Sequence, residues 1–121
     1  MMRLVSAILG VLALATAARA QDVPLVSTQA ALNHVNQRAV VCGKVASVKT
    51  VDDKSLVIAL DVPYPGQLFA FQILPPDLSK FGTPALSLPE KRVCGTGVIA
   101  VAQGKAQMIL KEPGQLTLQQ P

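Results

Sequence analysis

Val41-Cys42-Gly43-Lys44-Val45 and Val93-Cys94-Gly95-Thr96-Gly97-Val98 echo each other, and between them they hold both cysteines of the 121-residue chain. Each is rich in valine, which packs well on a pleated surface, so each predicts the opening of a β-strand. Each also carries glycine near its start, where a strongly curved sheet needs a bulge or bend that a side chain would obstruct. The echo is too short to be a repeat. Similar strand starts in one small all-β barrel account for it.

Outward from these segments the pattern predicts five strands, over 39–51, 55–62, 68–74, 92–101 and 105–110. Leu56, Ile58, Leu60 and Val62 alternate in the second, and Phe69, Phe71 and Ile73 share one face of the third. Asp52-Asp53-Lys54 and Gln103-Gly104 are turns, and Pro63-Tyr64-Pro65-Gly66 is a strong breaker. Pro75 and Pro76 end the third strand, leaving Asp77-Leu78-Ser79-Lys80-Phe81 as at most one helical turn, stopped by Gly82. Ahead of the strands, 21–26 is extended, and 27–35 reads as a short helix capped by Ser27 or Thr28. Ala31, Leu32 and Val35 form its apolar stripe.

Residues 1–20 read as a cleavable export signal: Arg3, an apolar run broken by Ser6 and Thr16, then Ala18-Arg19-Ala20 as a small-x-small cleavage site. The run is short for a membrane span, which takes about 20 residues. The mature chain is therefore expected to be 21–121, a single domain with no membrane span, periplasmic or secreted. Processing also lowers the formal charge of +4: eleven basic residues less Arg3 and Arg19 leave nine against seven acidic ones, or +2. That excess is too mild to argue for a polyanionic partner. In an oxidising compartment Cys42 and Cys94 are expected to pair, with two buried free thiols as the alternative.

The order of elements, with a small helix between the third and fourth strands and glycines early in the first and fourth, resembles the OB-fold, a five-stranded Greek-key barrel. More narrowly, the chain is similar to a group of small exported bacterial OB-fold proteins. The residues that carry this are His34-Val35-Asn36-Gln37, Val41-Cys42-Gly43-Lys44-Val45, Pro63-Tyr64-Pro65, Lys80-Phe81-Gly82, Lys91-Arg92-Val93-Cys94 and Glu112-Pro113-Gly114-Gln115-Leu116. One departure is Leu74-Pro75-Pro76, where such chains commonly carry an aromatic residue and a glycine.

The resemblance makes the first and fourth strands antiparallel neighbours. With Val41, Gly43 and Val45 facing inward on one, and Val93, Gly95, Gly97 and Ile99 on the other, both cysteines point outward. A bridge then needs a register that brings their Cα atoms within about 7 Å. The position of both cysteines near the starts of antiparallel strands argues for an offset.

Catalytic equipment is sparse, and no enzyme activity or cofactor is expected. His34 is the one histidine, so no second histidine completes a zinc site, and the cysteines lack a CxxC spacing. Asp52-Asp53 is the one tight acidic pair and suits a solvated turn, with a weak calcium contact as the alternative. Arg38 and Arg92 are too few for the calcium-dependent hydrolase chemistry found on some OB cores.

OB-folds bind through the second and third strands and the loops beside them. With the large residues inward, the second strand shows Val57, Ala59 and Asp61, and the third Leu68, Ala70 and Gln72. This face lacks the stacking aromatics and bases that single-stranded nucleic acid needs. It predicts instead an exposed aliphatic patch of Val57, Ala59, Leu68 and Ala70, with Tyr64 at the rim and Lys105 in the neighbouring turn. The expected role is a non-catalytic binding or accessory module of the cell envelope, with a protein partner or small ligand on that patch. Weak nucleic-acid or oligosaccharide binding through the same face is the alternative.

Overall fold

The computed structural model describes residues 22–82 and 87–119, so the expected leader and Pro84 lie outside the described residues. Valine-rich and alternating stretches form seven strands: β1 (Leu25–Val26), β2 (Arg38–Thr50), β3 (Leu56–Leu60), β4 (Phe69–Ile73), β5 (Arg92–Ala102), β6 (Lys105–Ile109) and β7 (Leu116–Leu118). The order β1-β2-β3-β4-β6-β5-β7 closes on itself because β2 also pairs with β5. The closed ring is β2-β3-β4-β6-β5, the five strands expected from the sequence. Its pairings are antiparallel except β4 with β6.

Closure depends on two long strands that each serve two sheets. Residues 38–44 of β2 pair with 98–92 of β5, whereas 45–50 of β2 pair with β3. The remaining edge of each is shared in the same way: β1 lies parallel on Val40 and Val41, and β7 lies antiparallel on 93–95. The register breaks between Val45 and Ser47, so the bulge sits just after Gly43 rather than at it.

Cys42 lies directly opposite Cys94, and the two are bonded, with Cα atoms 4.0 Å apart. The expected offset is absent. Only the first half of β2 meets β5, so two positions near the strand starts face one another.

Val41, Val45, Ile58, Leu60, Phe69, Phe71, Ile73, Val93, Ile99 and Met108 fill the barrel. Phe69 and Phe71 meet edge to face with centroids 5.2 Å apart, a favourable geometry for ring quadrupoles. The space for Phe71 comes from the opposite wall: a Cβ on Gly95 would lie 2.2 Å from Phe71 Cε1.

The helical segments are short 3-10 turns. Ala31–His34 follows a turn in which the Ala30 N–H donates to Ser27 Oγ at 3.1 Å, and it buries Ala31 while leaving Leu32 exposed. The expected stripe is thus reduced to Ala31 and Val35, because one tight turn presents fewer residues to the core. Pro75–Phe81 begins at the prolines rather than after them. Proline's fixed φ suits a helical start, where its missing N–H costs nothing. Leu78 and Phe81 from this turn pack on the core.

Several pieces of the resemblance prove to be ties between elements. Lys80 Nζ binds Asp77 Oδ1 and Glu112 Oε2, each at 3.0 Å, and the Lys111 carbonyl at 3.2 Å. Glu112 and then Asp77 raise the pKa of that ammonium above its ordinary value. Gln115 Oε1 accepts the N–H groups of Lys111 and Glu112 at 2.7 and 2.9 Å, and its Nε2 donates to the Thr96 carbonyl at 2.9 Å. Gln115→Ala removes all three bonds. It is expected to cost about 1–2 kcal/mol, the lower part of the range for broken bonds at a half-exposed site. Urea denaturation of the oxidised protein checks this, and an unchanged midpoint would show Gln115 to be dispensable.

Candidate functional site on the outer face of the barrel

The outer face of β3 and β4 is covered. Every residue of β3 is buried, with Val57 7% and Ala59 0% exposed, and Ala70 on β4 is 3% exposed. This corrects the expectation of an open aliphatic patch. Alternation places a side chain on a face but does not say what else lies over that face.

Residues 61–67 form the cover, and three ties fix their path. Asp61 donates its N–H to the Lys44 carbonyl at 2.7 Å; its carboxylate accepts the Lys44 N–H at 3.1 Å and the Thr28 hydroxyl at 2.9 Å. Asp61 therefore binds the β2 side instead of standing on the open face. The Tyr64 N–H donates to Ser47 Oγ at 3.0 Å, and Ser47 pairs with Ala59, which pairs with Ala70. Lys105 Nζ donates to the Gln67 carbonyl at 3.1 Å. The Tyr64–Pro65 peptide within this loop is cis.

What stays open is a cleft of about 320 Å³ between this loop, the β2–β3 turn and the β5–β6 turn. Val57, Ala70, Gln72 and Gln107 line its strands. Tyr64, Pro65 and Gln67 form the wall contributed by the loop, Asp52, Asp53 and Gln103 come from the two turns, and Lys105 opens β6. Of the six residues expected in a binding site, the structure brings Val57, Tyr64, Ala70 and Lys105 together here. Ala59 is fully buried and does not line the cleft, and Leu68 is 51% exposed outside it.

The residues that the patch reading passed over are polar. Alternation places Gln72 on this face, and Asp52-Asp53 and Gln103 fall in the flanking turns. Apolar area alone does not reveal their contribution. Gln67 carried no signal at all. It is 6% exposed, and among the described residues its Oε1 is a buried acceptor without a hydrogen-bond partner. Native structures leave few such groups unsatisfied.

The electrostatics follow from geometry. Two carboxylates stand on one turn, Asp53 Oδ1 accepting the Ser55 N–H at 2.9 Å. The lysine opposite already donates to the loop backbone. Among the described residues no three metal-ligating side chains cluster, and His34 is placed in a surface turn with Nδ1 2.9 Å from Gln37 Oε1.

No family model and no curated protein matches the chain. Solved structures do. An S. pombe Stn1–Ten1 complex matches with a TM-score of 0.52 and 15% identity, over 69% of this chain and 59% of that chain. This chain thus spans less than two thirds of that neighbour's length. OBody AM3L15, bound to hen egg-white lysozyme, matches with a TM-score of 0.55 and 14% identity, over 75% of this chain and 89% of that one. OBody AM1L10, also bound to lysozyme, gives 0.52 and 16% over 74% and 85%. These likenesses, with the closed five-strand ring, make the fold an OB-fold.

Proposed function

We propose that this chain is an exported, non-catalytic OB-fold module of the cell envelope that binds its partner in the cleft beside Tyr64. One observation carries the reading: four of the residues expected in a binding site, Val57, Tyr64, Ala70 and Lys105, converge on one cleft. The cleft also occupies the strand face and the flanking loops through which OB-folds bind. The OBody structures support the idea that such a barrel can present a contact surface, since those OB-folds are bound to lysozyme. The resemblance to small exported bacterial proteins, the leader-like residues 1–20 and the disulfide support export.

Photocrosslinking tests this reading in the producing cell. A benzophenone side chain at position 64 of the exported protein is expected to give a discrete adduct, and one at position 118, outside the cleft, is expected to give none. Equal labelling at both positions, or none at position 64, would remove the cleft from consideration.

Single-stranded nucleic acid is the second reading, favoured by the location of the cleft on the barrel. Against it stand two carboxylates and a lysine already bonded to the chain. Salt dependence distinguishes it, because phosphate binding weakens steeply as salt rises.

A further inference from the structure

β1, β7 and the paired halves of β2 and β5 form the sheet that carries no part of the cleft. We propose that the outer face of this sheet docks the barrel on an anionic lipid bilayer. Side chains alternate along a strand, and over 38–45 and 92–99 every second residue is buried. The intervening residues therefore point outward. The disulfide lies in the middle of this face, with Val98 opposite Arg38 on one side of it and Arg92 opposite Lys44 on the other. Leu25 of β1 extends the face beside Val40.

The charges of the face are one-sided. Like charges directly opposite one another cost stability in a sheet, yet Lys44 and Arg92 are so placed. Glu90 pairs with Lys44 at 2.8 Å, in a contact exposed to solvent. Arg92 Nε donates to a neutral acceptor, Gln119 Oε1, at 3.3 Å, and Arg38 has no ion-pair partner among the described residues. Three bases less Glu90 leave +2 on this face, as much as the whole of 21–121 carries. The mild net charge of the chain thus hides a local concentration.

Apolar side chains stand among these bases. Leu25 is 73% and Val98 50% exposed. Bases and exposed aliphatic groups on one face are the combination that holds proteins at an anionic bilayer surface, the first by attraction to phosphate and the second by shallow insertion. Size and charge choose among occupants. Four strands at about 4.8 Å and seven residues at about 3.4 Å span on the order of 500 Å². A stable protein interface takes about 800 Å² from each partner, whereas a bilayer sets no such minimum. A second copy on this face would confront +2 with +2. Docking through this sheet also leaves the cleft on the other sheet uncovered.

The test is co-sedimentation of the exported, oxidised protein with vesicles of phosphatidylcholine, alone or with roughly one quarter phosphatidylglycerol. The protein is expected to pellet with the anionic vesicles and not with the neutral ones, and less as salt rises. Arg38→Gln and Arg92→Gln should each lower the partition coefficient about fivefold. Leu25→Ser, which changes no charge, should lower it by about fivefold as well. Lys54→Gln removes the same charge from the exposed β2–β3 turn and should leave partitioning within about twofold of the parent. All four positions are exposed, and an unchanged melting temperature verifies that each variant is folded. No pelleting with anionic vesicles, equal pelleting with both kinds, or an equal loss from Lys54→Gln overturns the proposal. Retention on immobilised polyglutamate without pelleting would point to an acidic protein partner and overturn it too.

Discussion

Gly95→Ala is expected to lower the melting temperature by more than about 12 °C, equivalent to roughly 3 kcal/mol in a domain of this size. The new Cβ would lie 2.2, 2.6 and 3.0 Å from three ring carbons of Phe71. A ring cannot yield as the end of a flexible chain does, and Phe71 is fully buried with its edge or face against Phe69. Overpacking a core typically costs 1–3 kcal/mol, and the contact with several rigid atoms places this substitution at or above the top of that range. Shrinking the obstacle separates the clash from other effects. Phe71→Leu alone is destabilising, but combined with Gly95→Ala the loss should fall short of the sum, as expected for residues in contact. Strict additivity in that cycle, or a single variant melting within a few degrees of the parent, would show that the ring moves aside readily.

Removing the bridge with Cys42→Ala and Cys94→Ala should cost about 4 kcal/mol, as chain entropy predicts for a loop of this length. The cysteines are separated by 52 positions, so the unfolded chain regains much freedom when the bond is lost. The bond also lies where the barrel closes, between the first half of β2 and the start of β5. Since whole domains are stable by only about 5–15 kcal/mol, the double variant is expected to be marginal. Guanidinium unfolding of the oxidised protein, the reduced protein and the variant measures this. Superimposable curves would mean the bond contributes nothing to stability.

The main strands were legible because their apolar residues alternate, and each predicted span lies within a residue or two of the observed strand. Leu25–Val26 and Leu116–Leu118 were not. Strands of two or three residues have no period to read, and their pairing depends on free edges that β2 and β5 offer only once folded. Pro63-Tyr64-Pro65-Gly66 was recognised as a break, but its path back over β3 rests on Ser47, Asp61 and Lys105, contacts that span 17 to 38 positions. The candidate site was half legible for the same reason. Val57 and Ala70 follow from alternation, whereas Gln67 is placed by the path of the loop.

Lys80 and Glu112, in separate pieces of the resemblance, meet in space, and Cys42 and Cys94 do so through the disulfide. Gln115 secures the chain leading to β7. Of the stretches that carry the resemblance, Pro63-Tyr64-Pro65 is the one that contributes to the cleft. Most of the others describe how the barrel is tied, and so predict fold better than ligand.

The sharing of β2 and β5 between two sheets bears on aggregation. The strands at the two ends of the sheet order are β1 and β7, two and three residues long. Such short edges give another chain little to template on. The 13-residue β2, rich in valine, is the segment best suited to intermolecular pairing once freed. Folding pairs its first half with β5 and its second half with β3, so the hazard is greatest in the interval before closure.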